Sequence, residues 1–248
     1  MDSAGCRYPP SRKTWYSEEE TSLKWGMMMT MLATASRFLL LTERIEQKPL
    51  LRTRFTNQAY FVLAAIFDLI TQGVLGVENQ RLVVRDAARL AGLPDSLGDL
   101  KRDIQKTQPD NALETSLSLI TSWDVANSTY DAVGAELLEE KRVERVIFQN
   151  NLKPHVIYEP TSSSRQQMVD WLTNQLTTLT PTQSGLDLIV ILLQLDAMKW
   201  VVSDADDRVA NFKQRVSTNG QFLSRQAIAE TAAEVITQKR FWLDSWLS

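Results

Sequence analysis

The chain has 248 residues, 44% hydrophobic and 23% charged, which suits one folded domain and excludes wholesale disorder. A formal net charge of -3 excludes bulk attraction to nucleic acid or anionic lipid, so any such binding needs a local basic patch. The single cysteine, Cys6, excludes an intramolecular disulfide and suits a reducing cytoplasm, while a triad or a His-based metal site would rest on the single histidine, His155.

Residues 1–28 read as a disordered tail or an over-extended start. Residues 1–26 hold no apolar run of signal-peptide length, and Met27, Met28, Met29 and Met31 follow. The expected domain is 29–248: mainly α, a single compact helical domain with two or more short β-hairpins. A first helix is expected over 30–45, with Leu32, Phe38, Leu39, Leu41 and Ile45 facing the core. An irregular stretch over 49–54 holds Arg52 and Arg54. Asn57 then opens an apolar helix to Gln72, which Gly73 ends. Residues 74–77 and 82–84 read as a β-hairpin around Glu78, Asn79 and Gln80.

Pro94 and Asp95 precede a helix over 96–106, and Pro109 and Asp110 precede another over 111–120. Trp123 and Asp124 fall in a break before a helix over 126–141. A second hairpin follows: 143–148, a turn over 149–153, then 155–158, with Pro160 ending it and His155 as an exposed loop residue beside Pro154. Thr161, Ser162, Ser163 and Ser164 offer N-caps for a helix through Leu176. The most apolar stretch, 186–202, is interrupted by Asp187, Gln194, Asp196 and Lys199, so it reads as a buried core helix and not a bilayer span. Helices over 204–217 and 224–246 complete the chain. The helix, break and hairpin over 67–84 are echoed over 135–158.

No glycine-rich phosphate loop, CxxC, HExxH or GxSxG is present, so a non-enzymatic binding protein without metal or cofactor is expected. Asp204, Asp206 and Asp207 sit beside Ser203 at a helix start, where acids favour the helix dipole. Trp171, Trp200, Trp242 and Trp246 read as core aromatics, although the i, i+4 pair Trp242 and Trp246 also suits a sticky patch.

The second hairpin carries the candidate site. Ile147, Phe148, Val156, Ile157 and Tyr158 form two apolar arms, with Asn150 and Asn151 near the tip and Lys141, Arg142 and Arg145 leading in. Apolar side chains beside cations suit an anionic bilayer surface: the charges favour approach and the apolar groups enter the acyl boundary. The same pattern also suits a hairpin packed on its own core with a solvated basic face. Arg52 and Arg54 form a smaller basic pair.

The order of these features resembles the Golgi phosphoprotein 3 family. The resemblance is carried by 33–46 with Phe38-Leu39-Leu40-Leu41, by Ile66-Phe67-Asp68-Leu69-Ile70-Thr71-Gln72-Gly73-Val74-Leu75, and by 100–109 with Lys106-Thr107-Gln108-Pro109. Leu137-Leu138-Glu139-Glu140-Lys141-Arg142-Val143 and the stretch 186–209 complete it. It implies a largely helical peripheral membrane protein that binds phosphatidylinositol-4-phosphate, lacks enzymatic activity and uses a hairpin for membrane contact or homo-oligomer formation. For a eukaryotic chain it implies the cytoplasmic face of the Golgi. The family's headgroup positions fall on Thr53, Val62, Asn127 and Tyr130, none of them basic, so none is carried over. Headgroup contacts are expected instead from Arg52, Arg54, Lys141, Arg142 and Arg145. The alternatives are a nucleic-acid-binding or regulatory module built on winged-helix-like helix-hairpin units, which the net charge opposes, and a protein-interaction scaffold.

Overall fold

The computed structural model describes residues 31–44, 51–107, 110–149 and 154–247. The expectations for 1–28, Ile45 and the turn at 150–153 fall outside them, as do the side chains of Arg52, Phe148, His155 and Trp246. Residues 31–248 form one compact unit, mainly α with two antiparallel hairpins.

Helix α1 (Ala33–Thr42) buries Phe38, Leu39, Leu40 and Leu41. Helix α2 (Leu51–Thr71) starts at Leu51 and not at Asn57, absorbing the stretch expected to be irregular. Buried Phe55 ties its first turns to the core. From Ala59 to Phe67 every α2 residue is buried, so this is the central helix. Strands β1 (Leu75–Glu78) and β2 (Arg81–Val84) pair antiparallel, joined by Asn79 and Gln80 at positive φ, as a two-residue hairpin turn requires.

Helices α3 (Ala87–Ala91), α4 (Gly98–Lys106) and α5 (Leu113–Leu117) follow, with 3-10 turns at Asp95–Leu97 and Ser118–Thr121. The helix expected over 111–120 therefore tightens at Ser118, where the Ser118 and Thr121 hydroxyls donate back to the Thr115 and Ser118 carbonyls. Helix α6 (Trp123–Glu139) begins where a break was expected, because Ser122 accepts the Val125 N–H and Asp124 sits in the first turn. Strands β3 (Val143–Gln149) and β4 (Pro154–Pro160) make the second hairpin, so His155 belongs to a strand and not to a loop.

Helix α7 (Ser162–Thr177) is capped by Thr161. The helix expected over 186–202 divides into α8 (Gln183–Gln194) and α9 (Met198–Val201) at Asp196, whose φ is 50°. Helices α10 (Ala205–Val216) and α11 (Gly220–Leu247) finish the fold. Asp206 and Asp207 lie in the first turn of α10, as expected for dipole-favoured acids. Among the described residues no helix is long and apolar enough to cross a membrane.

Three helix ends share one device. After α2, the Gly73 N–H bonds to the Ile70 carbonyl and the Val74 N–H to that of Leu69. Lys141 and Arg142 repeat the pattern onto Leu138 and Leu137, and Asp196 and Ala197 repeat it onto Leu193 and Leu192. This is the Schellman ending, which places one residue in the left-handed region. Gly73 fills that place before the first hairpin, and Lys141 fills it before the second, at φ 59°. The sequence echo is thus a structural one.

A polar network crosses the core. Helix α1 has no local cap, and the Thr34 and Ala35 N–H groups donate to the Asp68 carboxylate of α2 at 2.9 and 3.1 Å. Asp187 of α8, fully buried, accepts from Arg225 Nε of α11 at 2.8 Å and from the Thr71 hydroxyl at 3.2 Å. Arg225 also donates to Thr71 and lies over the Phe67 ring. Burial of Asp187 and Arg225 is tolerable because they are paired with each other and hydrogen-bonded to Thr71.

Candidate functional site

The second hairpin docks by its root. Cross-strand pairing puts Val143, Arg145 and Ile147 on one face with Pro160, Tyr158 and Val156. At the root of that face Val143, Tyr158 and Pro160 are buried; at the outer end Ile147 is 64% exposed. The Tyr158 ring lies against Tyr130 of α6, which meets Phe61, which meets Phe38, with centroid separations of 5.5, 5.9 and 6.4 Å. An aromatic ladder thus ties the strand to the middle of the core.

Polar contacts hold the same root. The Tyr130 hydroxyl accepts the Tyr158 N–H at 3.0 Å and donates to the Glu43 carboxylate at the end of α1. Burial pushes the Glu43 carboxyl above its usual range, against the pull of Tyr130, and burial likewise raises the Tyr130 phenol. Arg165 of α7 reaches the Glu43 carbonyl at 2.6 Å and Glu159 of β4 at 3.1 Å. Two carboxylates and an arginine clamp therefore fix β4 against α1 and α7. Gly134 of α6 leaves the space the Tyr158 ring fills.

The expected apolar arms separate into two kinds. Ile147 is free of the body, and Val146 and Ile157 share the other face, half-buried. Val156 is partly buried against the core, and Tyr158 is 7% exposed. Tyr158 is therefore corrected from a surface contact to the anchor of the hairpin, because its ring is spent on Tyr130 and Gly134.

The expected cations are distributed over several acidic neighbours. Lys141 is exposed in the turn entering β3. Arg142 pairs with Glu140 at 3.8 Å and lies close enough to lower the Arg37 pKa, behind burial and against Asp68. Arg145 is exposed on β3 and helps hold down the Asp131 carboxyl, which burial raises. Arg54, partly buried near the start of α2, faces Glu43. Arg54, Arg142 and Arg145 thus each act on a different carboxylate: Glu43, Glu140 and Asp131. Val62 is fully buried and Tyr130 is part of the ladder, so both serve packing.

A shallow surface depression lies between α2 and α6, lined by Phe55, Gln58, Ala59, Ile120 and Trp123, whose ring meets Phe55 at 5.9 Å. Trp200 is 70% exposed, against the expectation that it is core, and Trp242 at 64% fits the surface-patch alternative for that pair; Trp171 is partly buried under the Arg37 guanidinium. Among the described residues, no group of three or more His, Cys, Asp or Glu side chains could hold a metal ion.

Sequence reasoning missed Glu43, Tyr130 and Gly134, which hold the hairpin, and Asp68, Asp187 and Arg225, which hold the core. Asp68 and Asp187 did leave a signal: each is a carboxylate set inside a strongly apolar run. No family model matches the chain, and comparison with curated proteins finds no match.

Proposed function

We propose that the protein is a non-enzymatic peripheral membrane protein that docks on anionic bilayers through its second hairpin. The observation carrying this reading is the hairpin itself, clamped at the root while Ile147 is 64% exposed two residues beyond exposed Arg145, with Lys141 exposed in the turn that enters the strand. An apolar group held clear of the body by a rigid root enters the acyl boundary without unfolding anything, and the nearby cations favour anionic headgroups. The resemblance to the Golgi phosphoprotein 3 family supports the same class. Because the arginines spread over acidic neighbours, the attraction is to anionic surface in general, with phosphatidylinositol-4-phosphate one such lipid.

Co-sedimentation with vesicles tests the reading. The protein is expected to pellet with phosphatidylserine-containing vesicles at moderate salt, less so as salt rises, and to stay in solution with phosphatidylcholine alone. Ile147→Asp should abolish pelleting while leaving the thermal midpoint unchanged. Absence of pelleting with both phosphatidylserine and phosphatidylinositol-4-phosphate vesicles refutes the reading. A large preference for the phosphoinositide at equal vesicle charge would refute the non-selective form.

A further inference from the structure

Helix α11 outruns the body it packs on. From Phe222 to Ile236 its inner face is buried through Arg225, Ile228, Ala229, Ala232 and Val235. From Thr237 to Trp242 every residue is exposed, including Phe241 at 75% and Trp242 at 64%. Lys239 and Arg240 are exposed immediately before them.

The direction of α11 is fixed by its contacts. Near its start Arg225 bonds Thr71, the last residue of α2. Further along it packs on the 3-10 turn Ser118–Thr121, whose Ile120 and Thr121 line the depression with Phe55 and Gln58 at the start of α2. Helices α2 and α11 are therefore antiparallel, and the exposed turns of α11, tethered at Gln238 to Glu114 of α5, run toward the end of the molecule where α2 begins. The second hairpin points to that same end. Its root follows the C-terminus of α6, Tyr158 sits opposite Tyr130 and Gly134, and Ile147 lies beyond, toward the α6 N-terminus where Trp123 meets Phe55.

We propose that the exposed turns of α11, through Phe241 and Trp242 with Lys239 and Arg240, are a second bilayer anchor acting beside the hairpin. The inference rests on the membrane-docking reading. Charge complementarity selects the occupant: two cations adjoin two aromatic rings, and tryptophan favours the bilayer interface while cations favour anionic headgroups. Two anchors at one end of a rigid body also act multivalently, so each raises the effective concentration of the other at the surface.

The test compares the wild-type chain, Phe241→Ser/Trp242→Ser, Lys239→Glu/Arg240→Glu and Ile147→Asp on phosphatidylserine-containing vesicles, with circular dichroism and light scattering on each. Both α11 variants are expected to fold normally and to partition about tenfold more weakly than wild type. Brominated lipid should quench the wild-type tryptophan emission more than that of the Phe241→Ser/Trp242→Ser variant. Wild-type partitioning with α11 variants that bind equally well overturns the second anchor and leaves the hairpin reading standing. Absence of wild-type partitioning refutes the hairpin reading itself. A wild-type dimer that the Phe241→Ser/Trp242→Ser change makes monomeric, with partitioning unchanged, assigns the patch to a second copy of the chain and overturns the proposal.

Discussion

Tyr158 and Gly134 occupy each other's space: a methyl group on the glycine would collide with the tyrosine ring. The obstacle is one edge of the ring, Cδ2 first and then Cε2 and Cγ, and the ring is held between Tyr130 and β4. Gly134→Ala must therefore lift the hairpin root or displace the α6 backbone. Overpacking of this kind costs about 1–3 kcal/mol, offset by about 1 kcal/mol of helix propensity. The expected result is a lower thermal midpoint together with faster proteolysis within the hairpin. An unchanged midpoint would show that the ladder relaxes freely.

Lys141 holds a left-handed position that Gly73 fills in the first helix-hairpin unit. A side chain there costs about 1 kcal/mol relative to glycine. Lys141→Gly is expected to raise stability by up to that amount while weakening binding to anionic vesicles. Opposite movements of the two readouts would mark a residue retained for its charge against the interest of the fold. Asp196→Gly, at the same type of helix end after α8, should stabilise the fold without altering vesicle binding.

Arg225 and Asp187 test the buried network. Asp187→Ala leaves a guanidinium, 9% exposed, without its carboxylate, and should cost about 3–5 kcal/mol in denaturant unfolding. Replacing both partners by apolar residues of similar size, Asp187→Leu with Arg225→Met, should recover much of that loss. A double variant no better than the single one would mean that Thr71 and Gln183, which also bond Asp187, carry comparable weight.

Asp68 makes stability depend on pH. Burial raises its carboxyl to about 7, although the Thr34 hydroxyl and the Thr34 and Ala35 N–H groups all favour the ionised form. The ordinary value is 3.8, so between that and about 7 the folded chain holds a proton that the unfolded chain has released. Stability is therefore expected to be greatest at the acid end of that window, to fall as pH rises through it, and to level off above. The change is on the order of 4 kcal/mol. Glu43 and Asp187, both raised chiefly by burial, act in the same sense. Asp68→Asn should flatten the profile; an equally steep profile would assign the titration to those two.

The helical class and both hairpins were legible because period and turn chemistry are local: Gly73 after an apolar run, Asn79 and Gln80 between alternating strands, and Thr161 before α7 all act within a few residues. What the pattern could not carry was distance. The α2 start depends on where Phe55 is buried, and the division of 186–202 at Asp196 rests on backbone geometry that apolar runs do not encode. In the candidate site, the exposure of Ile147 and the burial of Tyr158 follow from strand register against α6, which is invisible in composition. Cations near the hairpin were found, whereas their acidic neighbours Glu43 and Asp131 come from other helices.

The bond from Arg225 to Thr71 joins positions 154 residues apart, and Asp187 lies between them in sequence. During synthesis the chain emerges from the ribosome in order, so α2 and α8 are both out before α11 supplies their counter-cation. Until then Asp187 has no basic partner, and the inner face of α2 lacks its cover from Ile228 to Val235. The nascent chain consequently cannot complete its core step by step from the front. It waits for α11, and until that helix is made the surfaces of α2 and α8 that it covers stay exposed to water.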